Sequence, residues 1–557
     1  MPKRLAVTIA GAVSLGSYEA GVLSEVLDAV QQHNADPATK PADRIVIDVL
    51  TGASAGGMTA IILAQKLLFS AQEFVGPYDN PLYNTWVKRI SLAGLQDTKE
   101  DEPALHSVFS SDLIETISAE TLKSRYASQP PPEAHRHSSV GDFIRVGVAL
   151  TNLNGVAYGY PVLPSGKFTY INYGDQLTRY ADAATCDNGE FWEPLRQAAV
   201  ACGAFPFAFR TQDLQRSAKN EPDDYAAGNL EPWPHDPATF TYSDGGILQN
   251  QPLGMAKDLV DLIDRHLDQE QRFYLFVSPH AKDPDANDTF HEANADYVHL
   301  IKRLIDVVMG QSGFQDWITA QGVNQRISLL DERAAGLKDA ILGGKIDVAA
   351  LAATAGSLLA LFFPNGSHQP PGATEPETLD AAKARIAGQY SSEMNALKAD
   401  AAQGPAFRDA VLAFESAAGL GARDCMTIYG VTAMDTELAG AGLAAFLGFF
   451  DQTFRDHDYD VGRTHARAFL TNPALAQHGA IGPIRYTGSP IRPIDGRLDG
   501  LKLSGVPVSD SSNFKAGMRR RVEQMAREVL GPFVSIPADP LVALAVNEIL
   551  NYVIAKS

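Results

Sequence analysis

The chain has 557 residues, of which 45% are hydrophobic and 20% are charged, and its formal net charge at pH 7 is −20. This length is enough for one large domain with an appendage or for two to three domains. So acidic a chain lacks the basic surface that binds nucleic acids or anionic lipids, and we expect no nucleic-acid partner. Cys186, Cys202 and Cys425 are far apart and predict neither a disulfide framework nor a C-x-x-C metal site.

The first half of the chain alternates predicted strands and helices. The basic start followed by an apolar stretch could pass for a signal sequence, but no small-residue cleavage site follows, and the stretch reads as a first strand. The predicted strands cover residues 5–9, 45–50, 143–153, 239–244 and 272–279, and the predicted helices cover residues 18–32, 58–69, 191–205 and the segment after Pro252. This alternation indicates an α/β fold, a mainly parallel sheet flanked by helices.

Long helical patterns replace this alternation from about residue 290. We therefore expect an α/β domain over 1–285 and a mostly helical C-terminal extension or insertion over 286–557. Part of that region, about 425–470, contains a strand-like segment, "CMTIYGVTA", which can rejoin the sheet. The longest apolar run, at 348–363, is shorter than the roughly 20 residues that cross a bilayer, so we predict no transmembrane segment.

A serine lies between two glycines where the second predicted strand meets its helix. The segment "TGASAGG" places Gly52, Ser54 and Gly56 in the G-x-S-x-G spacing. Small neighbours let the chain hold a serine in a tight turn with its hydroxyl pointing outward. Because ligands of such sheets bind at the carboxyl ends of the strands, Ser54 is a candidate nucleophile. The alternative is a turn that needs small residues only for helix packing.

A second glycine turn, "GAVSLGSYEAG", follows the first strand at residues 11–21. Backbone N–H groups at such a turn can bind an anion. A dinucleotide site would need the G-x-G-x-x-G spacing and an acidic residue ending the second strand, and the sequence has neither. The other interpretation is an oxyanion hole at Gly11, Ala12 and Val13, for the oxygen that becomes negative when Ser54 attacks an ester.

The base for Ser54 has two candidates. The segment "SDGGILQNQP" puts Asp244 at the end of a strand, and Gly245 and Gly246 are small enough for a neighbouring turn to approach. An Asp-Gly-Gly run can also be a simple turn. His280, after the strand at 272–279, would instead complete a Ser-Asp-His triad.

Together these blocks resemble the patatin-like phospholipases. The first glycine turn is similar to that family's oxyanion block, "GASAGG" to its elbow and "SDGGILQNQP" to its D-G-G block, in the family's order, with "AAVACGAFPFAFR" similar to the segment before the last block. The resemblance covers about residues 4–280 and, more loosely, the closing segment of large bacterial members at 448–470. It implies a Ser54–Asp244 dyad without histidine, supported by Gly52, Gly56, Gly245 and Gly246, and no cofactor.

One departure from the family pattern concerns the oxyanion block. Where the family usually has three glycines and a basic residue, this chain has Gly11, Ala12, Val13 and then Leu15. Backbone amides form such a hole, so a changed side chain does not abolish it. Ala12 and Val13 nevertheless restrict the backbone more than glycine does, which affects the geometry of the donors.

No metal site is predicted. The segment "DPDANDTFHE" starts like a calcium loop but has Asp288 where glycine is expected and Asn294 in place of the final glutamate. The pair His135 and His137 has no third ligand nearby in the sequence.

The resemblance therefore implies a serine acyl hydrolase that cleaves fatty-acyl esters of phospholipids or lysophospholipids. Its partners would be the lipid substrate and, transiently, a membrane or micelle surface, and we expect it in the cytoplasm or peripherally at membranes. The alternatives are an esterase with a triad through His280 and a catalytically weak lipid-binding or scaffold protein on the same fold. The sequence predicts no oligomeric state.

Overall fold

The strands and helices below are those of the residues that the computed structural model describes. These residues are 2–97, 106–122, 135–161, 166–225, 229–263, 272–280, 290–292, 297–368, 376–420, 426–473, 475, 484–502, 516, 517, 519–521 and 524. Most of the predicted acidic turn, residues 283–289, and also Cys425 lie outside them.

The strands are β1 (Lys3–Ile9), β2 (Ile45–Gly52), β3 (Val140–Pro161), β4 (Lys167–Asp182), β5 (Gln212–Arg216), β6 (Ala238–Asp244), β7 (Arg272–Ser278), β8 (Ser367–His368), β9 (Glu377–Thr378) and β10 (Ile428–Thr432). The helices are α1 (Gly16–Ala35), α2 (Ala55–Phe69), α3 (Pro81–Tyr83) with a π-helical continuation (Asn84–Arg89), α4 (Leu92–Leu95), α5 (Asp112–Leu122), α6 (Gly189–Cys202), α7 (Leu253–Asp261), α8 (Tyr297–Leu342), α9 (Val348–Phe362), α10 (Leu379–Gln389), α11 (Ser391–Ala396), α12 (Gln403–Ala417), α13 (Gly442–Ala445) and α14 (Gln452–Leu470).

Within the described residues, eight strands form one mixed and mostly parallel sheet in the order β10-β7-β1-β2-β3-β6-β5, and β4 pairs with β3. The pairs β10–β7, β1–β2 and β2–β3 are parallel. The pairs β3–β4, β3–β6 and β5–β6 are antiparallel. Apolar side chains of β1, such as Leu5, Val7 and Ile9, are buried, because parallel strands are covered by helices on both faces. The predicted α/β class with a helical C-terminal region is confirmed.

The site is positioned by the way β2 and β6 share one side of β3. Strand β4 pairs with β3 from Phe143 to Thr151, so β2 and β6 must both lie along the opposite side of β3. There Gly52 at the end of β2 is level with Val148, and Asp244 at the end of β6 is level with Leu150. Because β2 is parallel to β3 and β6 is antiparallel to it, the carboxyl ends of β2 and β6 point at each other.

Helix α14 lies directly against α1. A Cβ atom on Gly21 would strike the Tyr459 carbonyl, and one on Gly462 would strike the Tyr18 carbonyl, so the two backbones are in close contact. Glu25 is buried and pairs with the Arg463 guanidinium of α14 at 2.9 Å. The C-terminal strand β10 extends the sheet beside β7. Residues 428–470 are thus part of the structure that surrounds the sheet.

The chain divides into two compact units. The first comprises Met1–Ala256, Tyr274–Asp316 and Ile428–Ser557, and the second comprises Lys257–Phe273 and Trp317–Thr427. A boundary at residue 285 would fall inside the first unit. The second unit has its own apolar core, which includes Leu359, Ile386, Phe407 and Val411. No helix among the described residues is long and apolar enough to cross a membrane.

Candidate active site

The turn between β2 and α2 holds Ser54 in a strained conformation. Its backbone has φ 51° and ψ −126°, a region that residues other than glycine rarely adopt. A Cβ atom on Gly52 would strike the Gly56 backbone, and one on Gly56 would strike the carbonyls of Ile9 and Ala10. The two glycines of the G-x-S-x-G spacing are therefore required because strand and helix backbones meet there.

Asp244 ends β6 and faces this serine. The Ser54 hydroxyl donates a hydrogen bond of 2.7 Å to Asp244 Oδ2, and the Gly246 amide donates one of 2.7 Å to Oδ1. The main chain of Asp244 is also fixed, since its amide donates to the Ala204 carbonyl at 3.0 Å and its carbonyl accepts from Thr151 Oγ1 at 2.7 Å. The structure thus brings together the predicted nucleophile and one of its two predicted bases.

The environment of Asp244 changes its acidity. The residue is fully buried, and burial raises the pKa of its carboxyl to about 7 from the model-peptide value near 4. The hydrogen bonds from Ser54 and Gly246 act in the opposite direction, because they favour the ionised form. A carboxyl that titrates near neutral pH is a far better proton acceptor than an ordinary aspartate.

The predicted oxyanion loop lies beside Ser54, and its backbone amides differ in whether they already have a hydrogen-bond acceptor. A Cβ atom on Gly11 would be 3.1 Å from Ser54 Cβ. The Gly11 amide donates to the Asn250 carbonyl at 3.0 Å, so it is already engaged. In the described part of the chain, the amides of Ala12 and Val13 have no hydrogen-bond acceptor. Val13 has φ 51°, a left-handed conformation that glycine would adopt without strain.

The C-terminal segment holds this loop in place. Ser14 Oγ donates to the Ala445 carbonyl and accepts from the Gly448 amide at 3.1 Å. Leu15, at the position where the family usually has a basic residue, is fully buried, and a Cβ atom on Gly440 would be 2.9 Å from its Cδ2 atom. No sequence pattern indicated these contacts, because their partners are more than 420 residues apart in the chain.

This arrangement can be compared with known proteins. Residues 7–257 match the family model of the patatin-like phospholipases. This region is a patatin-like phospholipase domain. The region includes the end of β1, the Ser54 turn and all of β6 with Asp244. The match places it in a family of lipid acyl hydrolases.

A curated relative extends the comparison beyond this domain but adds no activity. The chain is 24% identical over 357 residues to the uncharacterized protein y4iI of Sinorhizobium fredii (strain NBRC 101917 / NGR234), which covers 50% of this chain and 49% of that protein. The chain thus matches only about half the length of this relative.

An apolar pocket opens beside Ser54 in the patatin-like domain. It is lined by Val13, Ser54, Met58, Trp86, Ile90, Ile114, Val200, Phe205, Phe209 and Phe449, among others. A second pocket shares five of these residues, namely Met58, Trp86, Ile90, Ile114 and Val200. It continues to Ile62, Ile117 and Leu122. One apolar lining therefore extends from Ser54 along α2.

The other predicted base, His280, lies beyond the matched region and pairs with a different carboxylate. His280 Nδ1 lies 3.8 Å from Asp435 Oδ1, and the histidine side chain is 43% exposed. None of the contacts among the described residues joins His280 to Ser54 or to Asp244. Sequence reasoning also missed Cys202, which is buried with its Sγ 3.7 Å from the Ser54 carbonyl.

Proposed function

We propose that the patatin-like domain is a serine acyl hydrolase that cleaves fatty-acyl esters of phospholipids or lysophospholipids. The observation that carries this proposal is the 2.7 Å hydrogen bond from the Ser54 hydroxyl to the buried Asp244 carboxylate, beside an apolar pocket. The family match supports lipid acyl esters as the substrate class.

In the first half of the reaction, Ser54 Oγ attacks the ester carbonyl carbon while Asp244 Oδ2 accepts the hydroxyl proton. The carbonyl oxygen becomes negative and is stabilised by the amides of Ala12 and Val13. The tetrahedral intermediate then collapses, the bond to the lipid alcohol breaks, and Asp244 returns the proton to the leaving alcohol. An acyl-Ser54 ester remains.

In the second half, a water molecule attacks the acyl-Ser54 carbonyl while Asp244 accepts its proton. Collapse of this second intermediate releases the fatty acid and returns the proton to Ser54. A carboxyl with a pKa of about 7 suits both halves, because it accepts and returns a proton near neutral pH.

The apolar lining along α2 is the proposed site for the acyl chain. Ile62 lies eight residues beyond Ser54, which corresponds to roughly 12 Å of helix. An extended chain advances roughly 1.25 Å per methylene group, given C–C bonds near 1.5 Å, so about nine or ten carbons fit along this length.

Release of free fatty acid from mixed phosphatidylcholine and lysophosphatidylcholine micelles tests the proposal. Wild type should be active, and Ser54→Ala and Asp244→Asn should each lose about 10⁴-fold or more in kcat while their thermal melts stay cooperative. Ser357→Ala, at an exposed serine of α9, is the matched control and should keep full activity. A fluorophosphonate probe should label wild type at Ser54 and leave Ser54→Ala unlabelled.

The strained Val13 favours a second candidate, a catalytically weak lipid-binding protein on the same fold. If wild type releases no fatty acid and is not labelled by the probe, the lipid-binding candidate replaces the hydrolase. The triad esterase makes a different prediction, since only it requires His280. We expect His280→Ala to turn over substrate at the wild-type rate.

A further inference from the structure

The outer part of the β3–β4 hairpin carries a cluster of exposed aromatic and aliphatic side chains. We call its described residues, Val156–Pro161 and Lys167–Tyr173, the aromatic arm. Its most exposed members are Tyr160, Phe168, Tyr170, Ile171 and Tyr173, each 41–59% exposed. Such a contiguous exposed apolar surface is unusual on a protein that meets only water.

The arm projects from the edge of the sheet that holds the candidate site. β3 runs parallel to β2, so it continues past the level of Gly52 in the direction in which β2 ends at the Ser54 turn. Leu150, which pairs with Asp244, also pairs with Asp175 of β4. Phe168 precedes Asp175 by seven residues on β4, so it lies about 23 Å of strand from Asp175 towards the outer end of the hairpin.

A groove connects the arm with the residues that follow Asp244. Its lining includes Tyr160 and Tyr170 of the arm together with Leu248 and Gln249. The carboxylates that also line the groove, Asp175 and Asp224, both pair with the buried Arg216 at 2.9 Å.

The arm is nearly free of charge in a strongly acidic chain. Lys167 is its one charged residue in the two described stretches, and that side chain pairs with Glu231. The formal net charge of the whole chain is −20. The arm thus offers a nearly uncharged surface on a protein whose net charge repels anions.

We propose that the aromatic arm inserts into the surface of a zwitterionic phospholipid aggregate and so brings the Ser54 pocket to its lipid substrate. The inference rests on the proposed function, because it assigns the docking surface of the same lipid-cleaving site. Tyrosine rings have an apolar body and a polar tip, which suits the boundary between lipid headgroups and acyl chains.

Two observations favour a lipid surface over a second copy of the chain. Neighbouring strand residues point to opposite faces, so Phe168 and Tyr170 lie on one face of the arm, Ile171 and Tyr173 lie on the other, and both faces are exposed. A protein partner covers one face of a strand pair, whereas an aggregate surrounds an inserted arm. A second copy would also bring together two chains of −20 charge, while zwitterionic lipid has no net charge.

Co-sedimentation with phosphatidylcholine vesicles tests the arm without requiring turnover. The full chain carrying Ser54→Ala should bind the vesicles, and adding Phe168→Ser and Tyr170→Ser should weaken the partition coefficient by about tenfold for each ring. Phe414→Ser, at a 45% exposed phenylalanine of α12, is the matched control and should bind as the parent does. Separately, a tryptophan introduced as Tyr173→Trp should shift its emission to the blue when vesicles are added.

Activity assays separate the arm from the chemistry. With Ser54 intact, the Phe168→Ser, Tyr170→Ser variant should hydrolyse a soluble short-chain ester at the wild-type rate and lose rate only on aggregated phospholipid.

If wild type releases no fatty acid but the parent still binds vesicles through the arm, the proposed function fails and the docking inference stands. Unchanged vesicle binding by the double variant overturns the inference, as does a parent chain that does not bind. Sedimentation showing a dimer that the double variant dissociates, without any vesicle effect, overturns it in favour of self-association.

Discussion

The Ser54 turn is closed by β1, β2 and the start of α2, within about fifty residues of chain, whereas the Gly11–Leu15 loop is held by a segment more than 420 residues away. Gly52 and Gly56 meet backbone atoms of that local region. Ser14 and Leu15, by contrast, contact Ala445, Gly448 and Gly440. The position of the nucleophile thus depends on local backbone packing, while the position of the proposed oxyanion donors depends on the C-terminal segment. The two can therefore be damaged separately.

The largest effect is expected from Gly56→Ala, which disrupts the local packing around the Ser54 turn. The new methyl group would strike the Ile9 and Ala10 carbonyls, which cannot move without displacing β1. We expect the free energy of unfolding to fall by about 3 kcal/mol or more, with loss of fluorophosphonate labelling at Ser54. Gly336→Ala in α8, where an added Cβ meets nothing within 4 Å, is the control and should melt at or above the wild-type temperature. A Gly56→Ala variant as stable as wild type contradicts the packing argument.

The pH profile of the reaction tests whether Asp244 is the base for Ser54. Asp244 must be ionised to accept the Ser54 proton, and burial holds its pKa at about 7. We therefore expect kcat/KM on a soluble ester to fall about tenfold for each pH unit below 7 and to level off above it. Thermal melts at each pH show whether the domain stays folded. A rate that is constant down to pH 5 would exclude Asp244 as the base.

Ser14→Ala tests the contact between the Gly11–Leu15 loop and the C-terminal segment. The change removes both hydrogen bonds of the hydroxyl and leaves the buried Ala445 carbonyl and Gly448 amide without this partner. We expect the free energy of unfolding to fall by about 1–3 kcal/mol and kcat to fall about tenfold, with KM nearly unchanged. Ser17→Ala is the matched control, since among the described residues the buried Ser17 hydroxyl donates only to the nearby Ser14 carbonyl, at 3.1 Å. A wild-type kcat in Ser14→Ala would show that the C-terminal segment does not tune the loop.

The smallest effect is expected from Val13→Gly. Glycine relieves the left-handed strain at φ 51° but adds flexibility to the unfolded chain, so we expect a net stability gain of at most about 1 kcal/mol. Probe labelling of Ser54 should not slow down, because the proposed donor is the backbone amide. Ala12→Gly is the comparison variant, since Ala12 has φ −144° and glycine relieves no strain there. Denaturant melts measure the free energy of unfolding of both variants. A loss of stability in Val13→Gly would contradict the argument that Val13 is strained.

Sequence patterns predicted the local parts of this site well. The elbow at Gly52–Gly56, the strand that ends at Asp244 and the glycine turn at Gly11 are each encoded within about ten residues, and apolar periodicity locates their strands. Strand β4 was missed because its residues Lys167–Ile171 are exposed on both faces and lack the alternation of a half-buried strand. The catalytic roles of these residues stay predictions.

The non-local parts could not be predicted. A resemblance implied the Ser54–Asp244 pair, but no local pattern shows that β2 and β6 meet end to end along β3. The burial of Leu15 and the pocket residues Ile90 and Ile114 likewise depend on packing between elements that are distant in the chain.

Because β2 and β6 pair with the same side of β3, the number of β3 residues between their ends sets the distance between Ser54 and Asp244. Only Ala149 separates Val148, level with the end of β2, from Leu150, level with Asp244. One inserted residue would move Asp244 by about 3.3 Å along β3, more than the whole 2.7 Å hydrogen bond to Ser54, and would reverse the faces of the strand beyond it. Loops and helices of this domain can lengthen without touching that spacing, so this short stretch of β3 is where a single insertion or deletion would separate nucleophile from base.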